Sequence, residues 1–229
     1  MSLIDFSKHA FFDSEVTPTV GKIGWELEKT AISQGFSIIA GIDEVGRGCL
    51  AGPVVAAACI LDPAKRVPDG LNDSKKLTPN SRRRIAEELK ETAKAWAIGI
   101  AGAEEIDRVN ILEATKLAMQ RAIESLSIRA EFLLIDSVKL KGIGRPFISV
   151  NKGDELSFSI AAASVIAKTF RDQLMVEMDK KYPGYGFAKH FGYGTKMHLE
   201  AIKKNGPTEI HRMTFRRVKP STQNDYLIK

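Results

Sequence analysis

The sequence predicts an α/β domain with a mixed sheet, and three observations carry that prediction. Two apolar runs at the start of the body, FSIIAGID (36–43) and VVAAACILD (54–62), follow one another across a brief loop. Later apolar runs alternate with amphipathic segments of helical length, the pattern of layered α/β folds. The chain has 229 residues, 44% hydrophobic and 27% charged, an ordinary globular composition that can bury one large core without covalent staples.

Taken in order, residues 1–36 read as an N-terminal extension with one helix around 25–33, packed on the body, and no strand signal. The body, 37–219, opens with the first apolar run, which ends in a carboxylate, and continues through the loop GRGCLAGP into the second. Thr78-Pro79 has the chemistry of a helix start, a hydroxyl cap followed by proline in the first turn, and predicts a helix through Ala93. AWAIGIAGA (95–103) alternates in its centre and predicts a third strand. An amphipathic helix is expected over 111–126, a strand at FLLID (132–136) and a short strand at PFISV (146–150). Residues 157–182 form one long helix whose alanine-rich first half must pack closely against a neighbour. A last helix, 196–204, stops at Asn205-Gly206-Pro207, within a basic helical segment of about 183–219, and 220–229 is a tail.

The net charge of +6 is unevenly distributed. Residues 168–219 hold 12 Lys+Arg against 5 Asp+Glu, whereas the rest of the chain holds 22 against 23. Aromatics and glycines interleave with these cations, as in KKYPGYGFAKHFGYGT, a mixture suited to phosphates, sugars and bases, although a solvated basic helix face has the same composition. Cys49 and Cys59 are too few for a disulfide framework, which points to a reducing, cytoplasmic setting. The longest apolar run, 54–61, is too short to span a bilayer, and no signal or transit peptide is expected.

Four carboxylates stand where strands end: Asp43 and Glu44 before Gly46-Arg47-Gly48, Asp136 closing FLLID, and Asp154 before the long helix. Such positions collect functional sites in α/β folds. Singly, each is also a plausible turn or cap residue. Together, with few histidines and no cysteine pair, they suit a hard cation such as Mg²⁺ or Mn²⁺. Two such ions are a standard apparatus for attacking a phosphodiester. Asp172 lies too far along the long helix to share an ion with Asp154, so Arg171-Asp172 is read as a structural or phosphate-side pair. Asp43 and Glu44, neighbours on a strand, can reach one site only if the strand breaks there, which Gly-Arg-Gly permits. His190 and His198 are expected to contact phosphate or lie on the surface. No P-loop, HExxH, CxxC or GxSxG motif is present.

IDEVGRGCLAGPVVAAACIL, LNDSKKLT, LLIDSVKL, KGDELSFSIAAASVIAKTFRD, KHFGYGT and HRMTF, in that order over about 37–215, resemble the bacterial ribonuclease HII family, the type 2 ribonucleases H. The resemblance implies a ribonuclease H-like mixed central sheet flanked by helices, with a C-terminal helical segment. It implies hydrolysis of RNA in RNA–DNA hybrids and at single ribonucleotides in duplex DNA, with two Mn²⁺ or Mg²⁺ ions and 5′-phosphate and 3′-hydroxyl products. It assigns catalysis and metal binding to Asp43, Glu44, Asp136 and Asp154, and ribose 2′-hydroxyl contacts to the backbone of Gly46, Arg47 and Gly48. Tyr193 would lie against the next sugar and sense the ribo-to-deoxy junction, with Ser74, Lys75 and Lys189 as phosphate contacts. Arg47 and the short extension match type HII, whereas the sister type HIII has threonine at that position and a larger N-terminal domain. Phe191 stands where the family often has lysine. The expected state is a monomer, and the tail shows no clear motif for a sliding clamp.

Overall fold

A computed structural model of the chain describes residues 14–16 and 23–218. Its centre is a six-stranded sheet of order β1-β6-β5-β2-β3-β4. The strands are β1 (Ser14–Val16), β2 (Ile39–Val45), β3 (Val54–Ile60), β4 (Ala95–Ala101), β5 (Phe132–Asp136) and β6 (Phe147–Val150). β2, β3 and β4 are joined antiparallel, while β2, β5, β6 and β1 run parallel. The predicted mixed sheet is therefore present, with antiparallel β2–β4 preceding parallel β5 and β6 in sequence.

The helices are α1 (Glu26–Ser33), α2 (Pro79–Thr92), α3 (Ala103–Val109), α4 (Ile111–Glu124), α5 (Phe158–Lys181), α6 (Phe187–His190) and α7 (Lys196–Asn205). Thr78 caps α2 by accepting from Ser81 N, and Asn110 separates α3 from α4 at φ 71° while accepting from the amides of Leu112 and Glu113. α4 begins where the helix over 111–126 was expected, whereas the short α3 before it was not anticipated.

β3 is buried along its whole length because both sheet faces are covered. Val54, Ala56 and Ala58 pack with Ala114, Ala118 and Ala122 of α4. Val55, Ala57 and Cys59 pack with Ala161–Ala163 and Val165 of α5, and with Ile85 and Leu89 of α2. Small side chains allow backbones to approach closely. At Gly41 of β2 a Cβ would overlap the Ser159 carbonyl of α5, and at Gly99 of β4 it would overlap the Ala118 carbonyl of α4.

The extension differs from expectation in one respect. β1 lies within it and pairs parallel with β6, Ser14 opposite Ile148 and Val16 opposite Val150. A three-residue edge strand is held by a partner more than a hundred residues away, so local periodicity carries no signal for it. α1 packs against β5 and β6 through Leu27 and Ala31. Its Glu28 is 3% exposed and accepts from Ser157 Oγ (2.6 Å) and Ser159 N (2.9 Å) at the start of α5. Burial raises its carboxyl above the ordinary range. Among the described residues no helix is long and apolar enough to cross a membrane.

Candidate active site

Strand register determines where the carboxylates meet. β2 and β5 pair from Ile39–Phe132 to Ile42–Ile135, so the next step along both parallel strands brings Asp43 beside Asp136. Alternation then assigns faces. Gly41 abuts α5, so Asp43 faces α5, where Ser164 hydrogen-bonds its carboxylate. Leu134 packs on the same side, so Asp136 faces that way too. Asp154 sits in the 3₁₀ turn Gly153–Glu155, which leads into α5 and donates Gly153 N to Asp136 Oδ1 at 2.7 Å.

Glu44 arrives differently from the expectation of a strand break. β2 continues through Val45, paired with Val55 of β3, and Asp43 and Glu44 lie opposite Ala57 and Ala56. The strand that stops is β5. Beyond Asp136 the β5 side of β2 is open, and Glu44, though it alternates away from Asp43, still interacts with Asp136. Its Oε1 accepts from Arg47 Nη1 at 3.1 Å, and its buried Oε2 has no partner among the described residues.

The electrostatics are those of crowded, dehydrated acids. Burial raises the Asp43 carboxyl well above its ordinary value, and Glu44, Asp136 and Asp154 add to the rise. Burial also raises Glu44, partly offset by the Arg47 guanidinium. Asp136 is raised by burial against the opposing Gly153 amide. Burial and the Asp136 charge push Asp154 up to about 6. A divalent cation would relieve both the desolvation and the repulsion. The all-oxygen donor set, including the orphaned Glu44 oxygen, fits such a hard ion. Among the described residues no three acidic, histidine or cysteine side chains alone are close enough to cage one. That arrangement suits ions held by one or two carboxylates with water and substrate oxygens completing the shell.

The other anticipated residues are spread around this centre. Gly46, at φ 92°, has no room for a Cβ against the Arg171 guanidinium, whereas Gly48 is open. Lys75 is exposed, with Nζ 3.5 Å from Asp154 Oδ2. Lys189 is exposed, and Tyr193 is 40% exposed. Ser74 is turned inward at 4% exposure, its hydroxyl 2.9 Å from Ser164 Oγ, so it supports the shell beneath Asp43 instead of presenting a hydroxyl to solvent. Lys168 Nζ lies 4.9 Å from the centre of the Phe191 ring, so a cation stands over the position where lysine was expected.

Two sequence readings are corrected. Arg171 and Asp172 do not pair with each other. Successive helix residues point about 100° apart, so Asp172 meets Arg82 (3.1 Å) and Lys168 (2.5 Å) while Arg171 turns inward. His190 and His198, expected at phosphate or on the surface, are 7% and 0% exposed, and His211 beside them is 1% exposed. Sequence reasoning also missed the supports. Fully buried Arg171 donates to the carbonyls of Ala51, Pro53 and Phe191. Fully buried Arg212 donates to those of Gly46, Arg47 and Gly52. Asp73, 5% exposed, adds a further acid beside Asp154. Only the HR of the closing HRMTF hinted at such a clasp.

Comparisons with known proteins identify the family. The family model for Ribonuclease HII matches residues 40–218. The chain is 55% identical over 188 residues to the ribonuclease HII of Desulfitobacterium hafniense, covering 82% of this chain and 72% of that protein. Among solved structures it is similar to the ribonuclease HII of the Archaeoglobus fulgidus PCNA:RNase HII complex. That likeness has a TM-score of 0.69 and 27% identity, over 82% of this chain and 100% of the other. It shares its fold with Bst-RNase HIII, solved in complex with Mn²⁺, at a TM-score of 0.60 and 21% identity over 82% and 70% of the two chains. A family match across the whole body, joined to a relative of this identity, leaves one conclusion: the chain belongs to the ribonuclease HII family, whose members are ribonuclease H endonucleases.

Proposed function

We propose that the protein hydrolyses the RNA strand of RNA–DNA hybrids and incises duplex DNA at single ribonucleotides, with two divalent ions, Mn²⁺ or Mg²⁺. The carrying observation is the convergence of Asp43, Asp136 and Asp154 on one sheet face, with Glu44 at the open edge beside the Gly46–Gly48 loop. When bound, divalent ions supply an activated water and stabilisation of the leaving 3′-oxygen. The chain's own residues orient the substrate around them. Gly46, Arg47 and Gly48 offer backbone groups to the ribose 2′-hydroxyl, which distinguishes RNA from DNA. Tyr193 lies against the following sugar, and exposed Lys75 and Lys189 meet phosphates. Ser74 contributes from below through Ser164. Because the carboxyls are raised, Asp154 to about 6, protons compete with the cation and binding weakens as pH falls through that range. The protein is read as a cytoplasmic monomer. A sliding clamp is a candidate partner, since the Archaeoglobus fulgidus relative was solved with PCNA.

The test compares all-DNA, single-ribonucleotide and full-hybrid duplexes, each with Mg²⁺, Mn²⁺ or chelator. Cleavage of the two ribonucleotide-containing duplexes with metal, giving 3′-hydroxyl ends, is expected. Metal-independent products or equal cutting of all-DNA duplex would defeat the reading. In the same panel Tyr193→Ala should lose about tenfold or more at the lone ribonucleotide. Its exposed ring contributes little to folding, so a matching collapse in Tm would instead indicate a structural residue.

A further inference from the structure

The segment carrying Tyr193 is held in an unusual conformation. Phe191 (φ 49°) and Gly192 (φ 84°) are both left-handed, costly for a phenylalanine and persistent only where surroundings impose it. Tyr193 is 40% exposed, and its side chain is placed by a hydrogen-bonding contact with Cys49 together with the course of its backbone. Several groups grip that backbone. Gly192 O accepts from Leu50 N (2.8 Å), and a Cβ on Gly192 would overlap the Ala51 carbonyl. Arg171 Nη1 donates to Phe191 O (2.9 Å), Thr195 N donates to Tyr193 O (2.8 Å), and further contacts lead into the three buried histidines.

Hydrogen bonds fix every proton in that group. Thr208 N can only donate, so His211 Nδ1 accepts from it (2.9 Å) and the ring proton sits on Nε2. That proton must be given to His198 Nε2, 3.0 Å away, which leaves His198 its proton on Nδ1. His198 Nδ1 then donates to Tyr193 O, also at 3.0 Å. Alongside, His190 Nδ1 accepts from Gly192 N (3.2 Å), and its Nε2 donates to Tyr185 O (2.8 Å). The His190 and His198 rings stack at 4.4 Å. A proton added to His198 Nε2 would set two donors face to face with His211, and one added to His211 Nδ1 would face the Thr208 amide. Burial accordingly holds both of those rings down at about 4, neutral at working pH.

We propose that His211 and His198 form a hydrogen-bond relay, with His190 stacked beside it, that positions Tyr193 for reading the ribo-to-deoxy junction. They are positioning residues, acting through the backbone at Gly192 and Tyr193. The proposal rests on the assignment of Tyr193 to the junction sugar made above.

Two near-isosteric variants of His198 separate this role from general structural support. Asparagine places an amide donor near the former Nδ1 and can still reach Tyr193 O. Glutamine places its amide near the former Nε2 and cannot. Both lose comparable packing and one relay bond. For each variant, Tm and the ratio of incision at a single ribonucleotide to cleavage of a full hybrid are measured. His198→Asn should keep the wild-type ratio, whereas His198→Gln should lower it about tenfold at a similar Tm. In the wild type, ¹⁵N spectra should show neutral rings with the proton on Nδ1 of His198 and Nε2 of His211. Equal ratios in the two variants, or other tautomers, would overturn the relay alone. Wild-type protein that fails to incise the single-ribonucleotide duplex would overturn the functional reading, and the relay's role with it.

Discussion

Asp43→Asn is expected to raise the melting temperature while abolishing cleavage. Asp43 is 5% exposed, and its carboxyl is raised by burial and by the charges of Glu44, Asp136 and Asp154. A neutral amide of the same shape removes both penalties and keeps an acceptor for Glu44 N, which donates to Oδ1 at 2.7 Å. Relief of about 1–2 kcal/mol would raise Tm by roughly 2–8 °C in a chain of this size. The carboxylate is also a proposed ligand, so turnover should fall by about 10²–10³-fold or more. Calorimetry and the hybrid cleavage assay on one preparation decide the matter. Near-normal turnover with Mg²⁺ would remove Asp43 from the site, and a fall in Tm would mean the carboxylate is stabilised by something other than the neighbours described.

Gly41→Ala is expected to be among the most damaging single methyls in the described residues. A Cβ at this position would overlap the carbonyl carbon and oxygen of Ser159 and the amide of Ile160, all backbone of α5. Backbone cannot swing aside as a side chain does, so β2 and α5 must separate, at a cost of about 3 kcal/mol or more. The same displacement pulls Asp43, on β2, away from Ser164 on α5, so surviving protein should be poorly active as well. Gly48→Ala is the control. Nothing lies within 4 Å of a Cβ there and its φ is not positive, so its stability should stay within about 0.5 kcal/mol of wild type. Urea denaturation of the two variants makes the comparison, and equal midpoints would contradict the packing described at Gly41.

Both predictions concern places where local sequence pattern and tertiary contact meet, and the two differ in legibility. FLLID was readable as a strand ending in an acid because its apolar run and its terminal carboxylate are local facts. Thr78-Pro79 was readable as a helix start for the same reason. The strand β1 was not, since three residues pair only because β6 lies there to receive them. Glu44 reached the site without the strand break that alternation seemed to require, because β5 ends before β2 does, and strand lengths relative to one another are not written in either strand.

The charge distribution shows the same division. Sequence alone located the acids at strand ends and the basic excess in residues 168–219, and so pointed to a reaction on a polyanion. It read that segment as a grip on nucleic acid or a solvated basic face, with His190 and His198 at phosphate or on the surface. The folded chain instead turned Arg171, Arg212 and three histidines inward. The arginines and His198 bond backbone groups of Gly46–Pro53 and Phe191–Tyr193, while His211 bonds Thr208 and His198. Residue identity determines which groups can carry charge or donate a proton. Which of them face a phosphate and which hold the loop that does depends on tertiary contacts, those of Arg171 and Arg212 with Gly46–Pro53 spanning more than a hundred residues, and only folding brings these together.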